Sequence, residues 1–396
     1  MMTLLLAAAA ALAGPAARPH TVPVAAPHIE IRVDSAQSRI IVTAGPFRLP
    51  AMDPHMDMSN MAPSEVMPFA WPVDGYLRGF NVRMRNAAGD SLPNEILHHL
   101  IGVNFDRRQL VYPAVERLFG WGAETEPVEL PSSMGVPMHV GEKLGMYAMF
   151  HNETGKDIDA AYLEVTLLYT PSKDHDVLTV MPFYVDVNNH IGGVTTFDVP
   201  PGKSSHSYQF ELPIGGKLVG IGGHLHDYGS SLELEDASTG KVLARLKARR
   251  DHDGHVEGVG RFIFGFNSDA LRLQAHHPYR VVAEYDNPTT ETFKDGGMGH
   301  INGAFVPDDG TAWPKLDLAD PLVRRDIATL PIMSDMNMHT AGTTSRGQKP
   351  NDARAGSSAG NGGAMRDMPM SDMPNMKADH GQHDPKTDST RGPDHP

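Results

Sequence analysis

The chain of 396 residues contains no cysteine. Disulfides, iron–sulfur clusters, blue-copper sites and zinc ribbons all need the sulfur of cysteine, so none of them can form. A bacterial lipoprotein anchor is excluded for the same reason, because its lipid is attached to a cysteine. The absence of cysteine does not decide the compartment, since many exported bacterial proteins have none.

Positive charge and long apolar runs are also scarce. Lys and Arg number 34 against 48 Asp and Glu, the formal net charge is −14, and the basic residues form no cluster. Nucleic-acid binding needs a basic patch, so we expect no nucleic-acid partner. We also expect no membrane span, because no segment stays apolar for the roughly 20 residues that a spanning helix requires.

The N-terminus has the pattern of a signal peptide. A short apolar run ends in Ala11-Leu12-Ala13, which has small residues at the spacing of a cleavage site, although no Lys or Arg precedes the run. We predict a signal peptide over residues 1–17, which places the mature protein in the periplasm or outside the cell.

The sequence that follows favours β-structure. Its 39 Gly and 32 Pro suit many turns, and segments such as 29–33 and 77–85 alternate apolar and polar residues as half-buried strands do. We predict an all-β fold of two antiparallel, jelly-roll-like β-sandwich domains over residues 29–200 and 203–310. The best candidate for a helix is residues 107–119, which Pro113 interrupts.

Two stretches mix methionine with histidine and aspartate. The first, residues 52–67, has no regular period and is predicted to be a Met-rich loop. The second lies in a tail over residues 340–396, after an extension over 311–339, and the tail is predicted to be disordered because it lacks core-forming residues. Sulfur together with imidazole favours copper, so we expect both stretches to contact copper ions; the alternative is low-complexity sequence without a role.

His224 and His226 are the strongest candidate metal ligands. They follow an apolar run typical of a strand, and residues i and i+2 of a strand point to the same face. Two imidazoles side by side can chelate one metal ion. The alternative is a pair of surface histidines beside a turn.

Further histidines lie in or at the ends of predicted strands. His98 and His99 are adjacent, so both can serve one site only if the strand is bulged or twisted there. Otherwise one of them is a core residue and the other a surface residue. His151 lies at a strand end, where ligands often project, and the alternative is a histidine bonded to a turn.

Residues 295–300 place one methionine among three glycines. A thioether is a soft ligand that selects Cu(I) over zinc, calcium or magnesium. Met298 and His300 share a face if the segment is a strand, so either of them completes a site begun by the His-x-His pair. The cupin metal motif is excluded, because Ser230 and Ser231 stand where its glutamate would be.

The order of these groups resembles the type II copper, ascorbate-dependent monooxygenases, the family of peptidylglycine α-hydroxylating monooxygenase and dopamine β-monooxygenase. The resemblance covers residues 30–310 in organisation and implies one copper ion in each of two β-sandwich domains. The site that donates electrons would comprise His98, His99 and His151. The site that activates oxygen would comprise His224, His226 and Met298.

The chain departs from that family at three points. The animal members are rich in disulfides, and this chain has none. The peptide-amidating members have an arginine two residues before the His-x-His and a tyrosine four residues after the methionine; here these positions are Gly222 and Asn302. Amidation of a glycine-extended peptide is therefore not expected.

Two functions follow as expectations, and the sequence does not decide whether the chain is an enzyme. The first is an exported copper monooxygenase that hydroxylates a C–H bond of a small molecule with O₂ and ascorbate or another reductant. The second is a non-catalytic periplasmic protein for copper binding, storage or tolerance, which meets copper-handling proteins through its Met/His-rich stretches. Both expect two copper ions per chain, whereas a purely structural adhesion module would bind no stoichiometric metal.

Overall fold

The structure is a computed structural model that describes residues 27–52, 63–122, 125, 127–173, 176–189, 191, 195–265 and 270–330. These residues all belong to one compact unit. The predicted signal peptide, the predicted tail and residues 53–62 of the Met-rich loop lie outside the described residues. Within the described part, no helix is long and apolar enough to cross a membrane.

The first half of the chain forms two sheets, which we call the first sandwich. Its strands are β1 (His28–Asp34), β2 (Arg39–Leu49), β3 (Met67–Ala70), β4 (Gly75–Asn86), β5 (Leu97–Arg108), β6 (Val115–Gly122), β7 (Val128–Glu129), β8 (Met134–Met138), β9 (Lys143–Phe150), β10 (Ile158–Pro171) and β11 (Leu178–Thr179). One sheet has the order β1-β2-β10-β4-β8-β11 with β7 beside β4, and the other has the order β3-β9-β5-β6. A single 3₁₀ turn, Asn94–Ile96, precedes β5.

The second half forms the second sandwich. Its strands are β12 (Met181–Asp186), β13 (Phe197–Val199), β14 (Gly202–Phe210), β15 (Gly216–Leu225), β16 (Gly229–Asp236), β17 (Lys241–Arg250), β18 (Val256–Val259), β19 (Phe262–Ile263), β20 (Leu271–Leu273), β21 (Tyr279–Asn287), β22 (Phe293–Gly297) and β23 (Gly299–Pro307). One sheet has the order β12-β23-β15-β19 with β20 beside β15. The other has the order β14-β21-β16-β17-β18, and β13 pairs with β22.

Each sandwich encloses its own apolar core. Val42 from one sheet and Leu100 and Met146 from the other are fully buried in the first core, as expected for strands whose apolar side chains alternate toward a facing sheet. Leu232 and Ile301 meet in the same way in the second core. The all-β fold of two antiparallel sandwiches is therefore confirmed, with a short parallel pairing of β11 with β8 as an exception among the described strands.

Three details differ from the sequence-based picture or refine it. The helix expected over residues 107–119 does not form; the segment holds the end of β5 and the start of β6, where pairing such as Gly102 with Phe119 satisfies the main chain. Met67, at the end of the predicted loop, begins β3 and is buried in the first core. The chain enters the second sandwich at β12, which begins at Met181, whereas the predicted second domain begins at residue 203.

The residues after β23 return to the first sandwich, and we call residues 311–330 the strap. Trp313 Nε1 donates to the carbonyl of Arg108, 2.8 Å away. Helix α1 (Pro321–Thr329) begins after Asp320, whose side chain caps the N–H of Leu322. From this helix Asp326 forms a buried, bidentate ion pair with Arg117 of β6. The strap thus fastens the end of the second sandwich to the first.

Candidate metal centre

A bulge in β5 brings two adjacent histidines together. Leu97 pairs with Phe150 and His99 pairs with Met149, so His98 is an extra residue in its strand. A bulge of this kind re-aims the side chains around it. The rings of His98 and His99 lie with their centroids 4.1 Å apart instead of on opposite faces of the sheet.

The second sandwich contributes histidines from two neighbouring strands. His224 of β15 is paired in register with His300 of β23, and their rings stack with centroids 5.1 Å apart. The residue before each of them is a glycine that packs against the core. A Cβ on Gly223 would overlap Leu232, so this face of β15 turns inward and the neighbouring His224 faces the first sandwich.

The histidines from the two sandwiches converge on one point. The donor nitrogens of His98, His99 and His226 all lie within 4.8 Å of one another. Nε2 of His99 lies 3.1 Å from Nε2 of His224. We call His98, His99, His224, His226 and His300 the histidine cluster.

The imidazole of His226 is held with one nitrogen available for a metal. Its Nδ1 lies 3.0 Å from the carbonyl oxygen of Gly296. A carbonyl oxygen only accepts, so the hydrogen-bond network assigns the proton to Nδ1 and leaves a lone pair on Nε2. That Nε2 is buried and has no hydrogen-bond partner among the described residues. A backbone carbonyl that fixes the tautomer in this way is the usual outer-shell partner of a metal-binding histidine.

The glycines around Met298 have a structural role that the sequence pattern did not reveal. A Cβ on Gly296 would overlap the ring of Phe293, and a Cβ on Gly297 would overlap the ring of Phe197. The two rings therefore occupy the space that side chains at positions 296 and 297 would need. Because these residues are glycines, their main chain can pass close to the rings, and the Gly296 carbonyl reaches His226.

Met298 lies beside the histidine cluster and is held through its main chain. Its N–H donates to the hydroxyl of Tyr285, and its carbonyl accepts the main-chain N–H of His226 at 3.2 Å. The role of its thioether as a ligand stays a prediction. The neighbouring candidate, His300, is in ring contact with His224.

His151 does not belong to the group of converging nitrogens in the described part of the chain. It follows β9, and its main-chain N–H donates to the carbonyl of Ile96, just before the bulged strand. Its Nε2 lies 3.4 Å from Oε1 of Glu153, an ion-pair distance without hydrogen-bond geometry. Its role as a ligand stays a prediction.

Burial keeps two imidazoles of the cluster, those of His99 and His226, uncharged. Burial and the neighbouring imidazoles hold the pKa of His99 and of His226 well below the ordinary value of 6.5. Both rings are therefore neutral at neutral pH, which is the form that binds a metal ion. The carboxyl of Asp186, opposite His300 in register, is fully buried, and burial raises its pKa to about 7.

The arrangement fits one transition-metal centre built from imidazole nitrogens. Two nitrogens bound to one tetrahedral ion at about 2.0 Å lie about 3.3 Å apart, close to the 3.1 Å between His99 and His224. The resemblance implied two sites in separate domains. The structure instead brings four of the six predicted ligands, those at 98, 99, 224 and 226, into one cluster and adds His300.

Comparison with known proteins does not assign a family. No protein-family model matches the chain, and no curated protein matches it. Among solved structures it is similar to the major capsid protein P2 of bacteriophage PM2, with 10% identity and a TM-score of 0.32 over 68% of this chain and 100% of that chain. It is also similar to PNGF-II, with 9% identity and a TM-score of 0.23 over 72% of this chain and 62% of that chain. Similarity at this level carries no functional argument.

Proposed function

We propose that this protein is an exported copper-binding protein whose metal centre is the histidine cluster. The observation that carries the proposal is the convergence of His98, His99 and His226, whose donor nitrogens lie within 4.8 Å of one another. The orphaned Nε2 of His226 supports it, because a buried lone pair without a hydrogen-bond donor is costly unless a metal ion occupies it.

The donor set favours copper among the common transition metals. Imidazole suits copper, zinc, iron and nickel, and of these Cu(II) binds most tightly to a given nitrogen site. The methionines of residues 52–67 and of the tail add soft sulfur, which favours Cu(I).

The proposed activity is that of the type II copper monooxygenases, hydroxylation of a C–H bond with O₂ and ascorbate or another external reductant. Copper, when bound, would supply the one-electron and O₂ chemistry. The chain's own part is to hold the imidazoles neutral and oriented. Burial keeps the imidazoles of His99 and His226 neutral, and the Gly296 carbonyl fixes the ring of His226. The packing of the two sandwiches limits water at His224 and His226, which are 7% and 8% exposed.

A second candidate function is copper storage or tolerance without turnover. Burial of His224 and His226 favours it, because these two side chains leave little surface for a substrate to approach. The Met/His-rich stretches also favour it, since they would pass copper to and from copper-handling proteins.

Copper content of the full chain tests the proposal. The double variant His98→Ala/His226→Ala removes two converging ligands, and His277→Ala, whose ring pairs with Asp236 at 3.1 Å, is the matched control. After copper loading and dialysis against a weak chelator, we expect the double variant to lose at least one ion per chain and the control to keep the wild-type content. The same measurement checks the expected two ions per chain.

An unchanged copper content in the double variant would rule out the histidine cluster as the copper site.

A second measurement, oxygen uptake by the copper-loaded wild type with ascorbate, separates the monooxygenase from the storage protein. Ascorbate and copper consume O₂ by themselves, so only uptake that depends on an added substrate and yields a hydroxylated product supports the monooxygenase.

A further inference from the structure

One buried tyrosine braces the main chain beside His226. Tyr285 of β21 is 2% exposed, and its hydroxyl accepts the N–H of Met298 at 3.0 Å. The same hydroxyl donates to the carbonyl of Met298. That carbonyl also accepts the main-chain N–H of His226. The hydroxyl of Tyr285 is therefore hydrogen-bonded to both the main-chain N–H and the main-chain carbonyl of Met298. Met298 is in turn hydrogen-bonded to His226, a proposed metal ligand.

The braced residue is two positions after the carbonyl that orients the imidazole. Residues 296–298 contact His226 twice, through the Gly296 carbonyl at Nδ1 and through the Met298 carbonyl at the main-chain N–H. The other end of this short segment is also fixed, because the N–H of Asp295 donates to the carboxylate of Asp198. Phe197 packs edge-on against Tyr285, with ring centroids 5.5 Å apart, and fills the space over Gly297.

We propose that Tyr285 is a positioning residue of the metal centre. By fixing residues 296–298 it keeps the Gly296 carbonyl at Nδ1 of His226, which holds the proton there and leaves Nε2 ready for a metal ion. The inference rests on the proposed metal binding by the histidine cluster. Loss of the hydroxyl would leave the Met298 N–H without its acceptor, so the segment would shift and the imidazole would no longer be confined to one tautomer.

The chain offers a matched control in the same strand. Tyr279 of β21 is 3% exposed, and its hydroxyl likewise accepts a main-chain N–H, that of Gln274, at 2.8 Å. Each Tyr→Phe change removes one buried hydroxyl that accepts a main-chain N–H. Only Tyr285 is bonded to the segment that contacts His226.

The experiment compares full-length wild type, Tyr285→Phe and Tyr279→Phe. Cu(II) affinity is measured by competition with a chelator. The tautomer of His226 is read from the ¹⁵N shifts of the metal-free protein, with His226→Gln to assign the signal. Losing an outer-shell partner typically weakens metal binding by 10- to 100-fold. We expect Tyr285→Phe to bind Cu(II) about tenfold more weakly and to show both tautomers, and Tyr279→Phe to match the wild type in both measurements.

The outcomes separate the two proposals. If the wild type binds no copper at the histidine cluster, the proposed function fails, and the tautomer measurement still tests the positioning role. If the wild type binds and Tyr285→Phe keeps both its affinity and the single tautomer, the positioning role is wrong. Equal loss of affinity in Tyr279→Phe would also overturn it, because general destabilisation would then explain both variants.

Discussion

Nε2 of His99 lies 3.1 Å from Nε2 of His224, although 125 residues separate them in the sequence. His99 comes from β5 of the first sandwich and His224 from β15 of the second. In the metal-free protein one of these nitrogens donates a proton to the other, because two bare lone pairs would repel at this distance. The pair is a direct polar link between the sandwiches, and its members are two of the proposed ligands.

Copper bound to ligands from both sandwiches should therefore stabilise the folded protein. A ligand that binds only the folded protein adds about 2.7 kcal/mol to the free energy of unfolding when its free concentration is 100 times its dissociation constant. We expect the Tm of the wild type to rise with Cu(II), and the Tm of His98→Ala/His226→Ala to rise much less. Thermal unfolding followed by circular dichroism measures both. An equal rise in the double variant would show that the stabilising ion binds elsewhere.

Met298 and His300 can be distinguished by oxidation state. A thioether stabilises Cu(I), so Met298→Ile should weaken Cu(I) binding at the cluster and leave Cu(II) binding by the imidazoles largely in place. His300→Ala should weaken Cu(II) binding, because its ring stacks on that of His224. Cu(I) and Cu(II) competition titrations test this, with X-ray absorption to detect sulfur. If Met298→Ile leaves Cu(I) affinity unchanged, Met298 is not a ligand.

The strap should contribute strongly to stability. Asp326 is fully buried and forms two hydrogen bonds of 2.8 Å with Arg117. Asp326→Asn leaves the guanidinium without its counter-charge, so we expect a loss of about 3–5 kcal/mol in the free energy of unfolding. The exposed pair of Arg249 and Glu257 is the control, since Glu257→Gln should cost less than about 1 kcal/mol. Urea unfolding measures both, and similar losses would contradict the strap's role.

Glu116 should make stability depend on pH. Burial raises its pKa from the ordinary 4.5 to about 7, while nearby Arg107 opposes the shift. The folded protein thus keeps a proton that the unfolded chain has released, so its stability is intact below pH 4.5 and falls as the pH rises through about 7. The full pKa difference corresponds to about 3 kcal/mol. Glu116→Gln should remove this contribution and leave the similar one of Asp186, whose pKa burial also raises to about 7. Glu129→Gln, at an exposed position, should leave both contributions in place in unfolding measured from pH 4 to 8.

Local pattern predicted the strands and named four of the histidines that lie together, because alternation and residue chemistry are properties of short segments. It also stated the condition for His98 and His99 to act together, and the structure meets it with a bulge. Pattern could not show that the two sandwiches meet at these histidines, since that contact depends on packing between distant strands. It showed that glycines flank Met298, but not that Gly296 and Gly297 make room for the rings of Phe293 and Phe197.

The division of the cluster between two sandwiches sets the order in which the site comes into being. During synthesis His98 and His99 leave the ribosome about 200 residues before His300. At about 5–20 residues per second this interval is roughly 10–40 s. Throughout it the nascent chain carries only an incomplete set of imidazoles, on a strand whose partners in the second sandwich do not yet exist. The proposed copper centre can therefore be complete only after translation has passed β23.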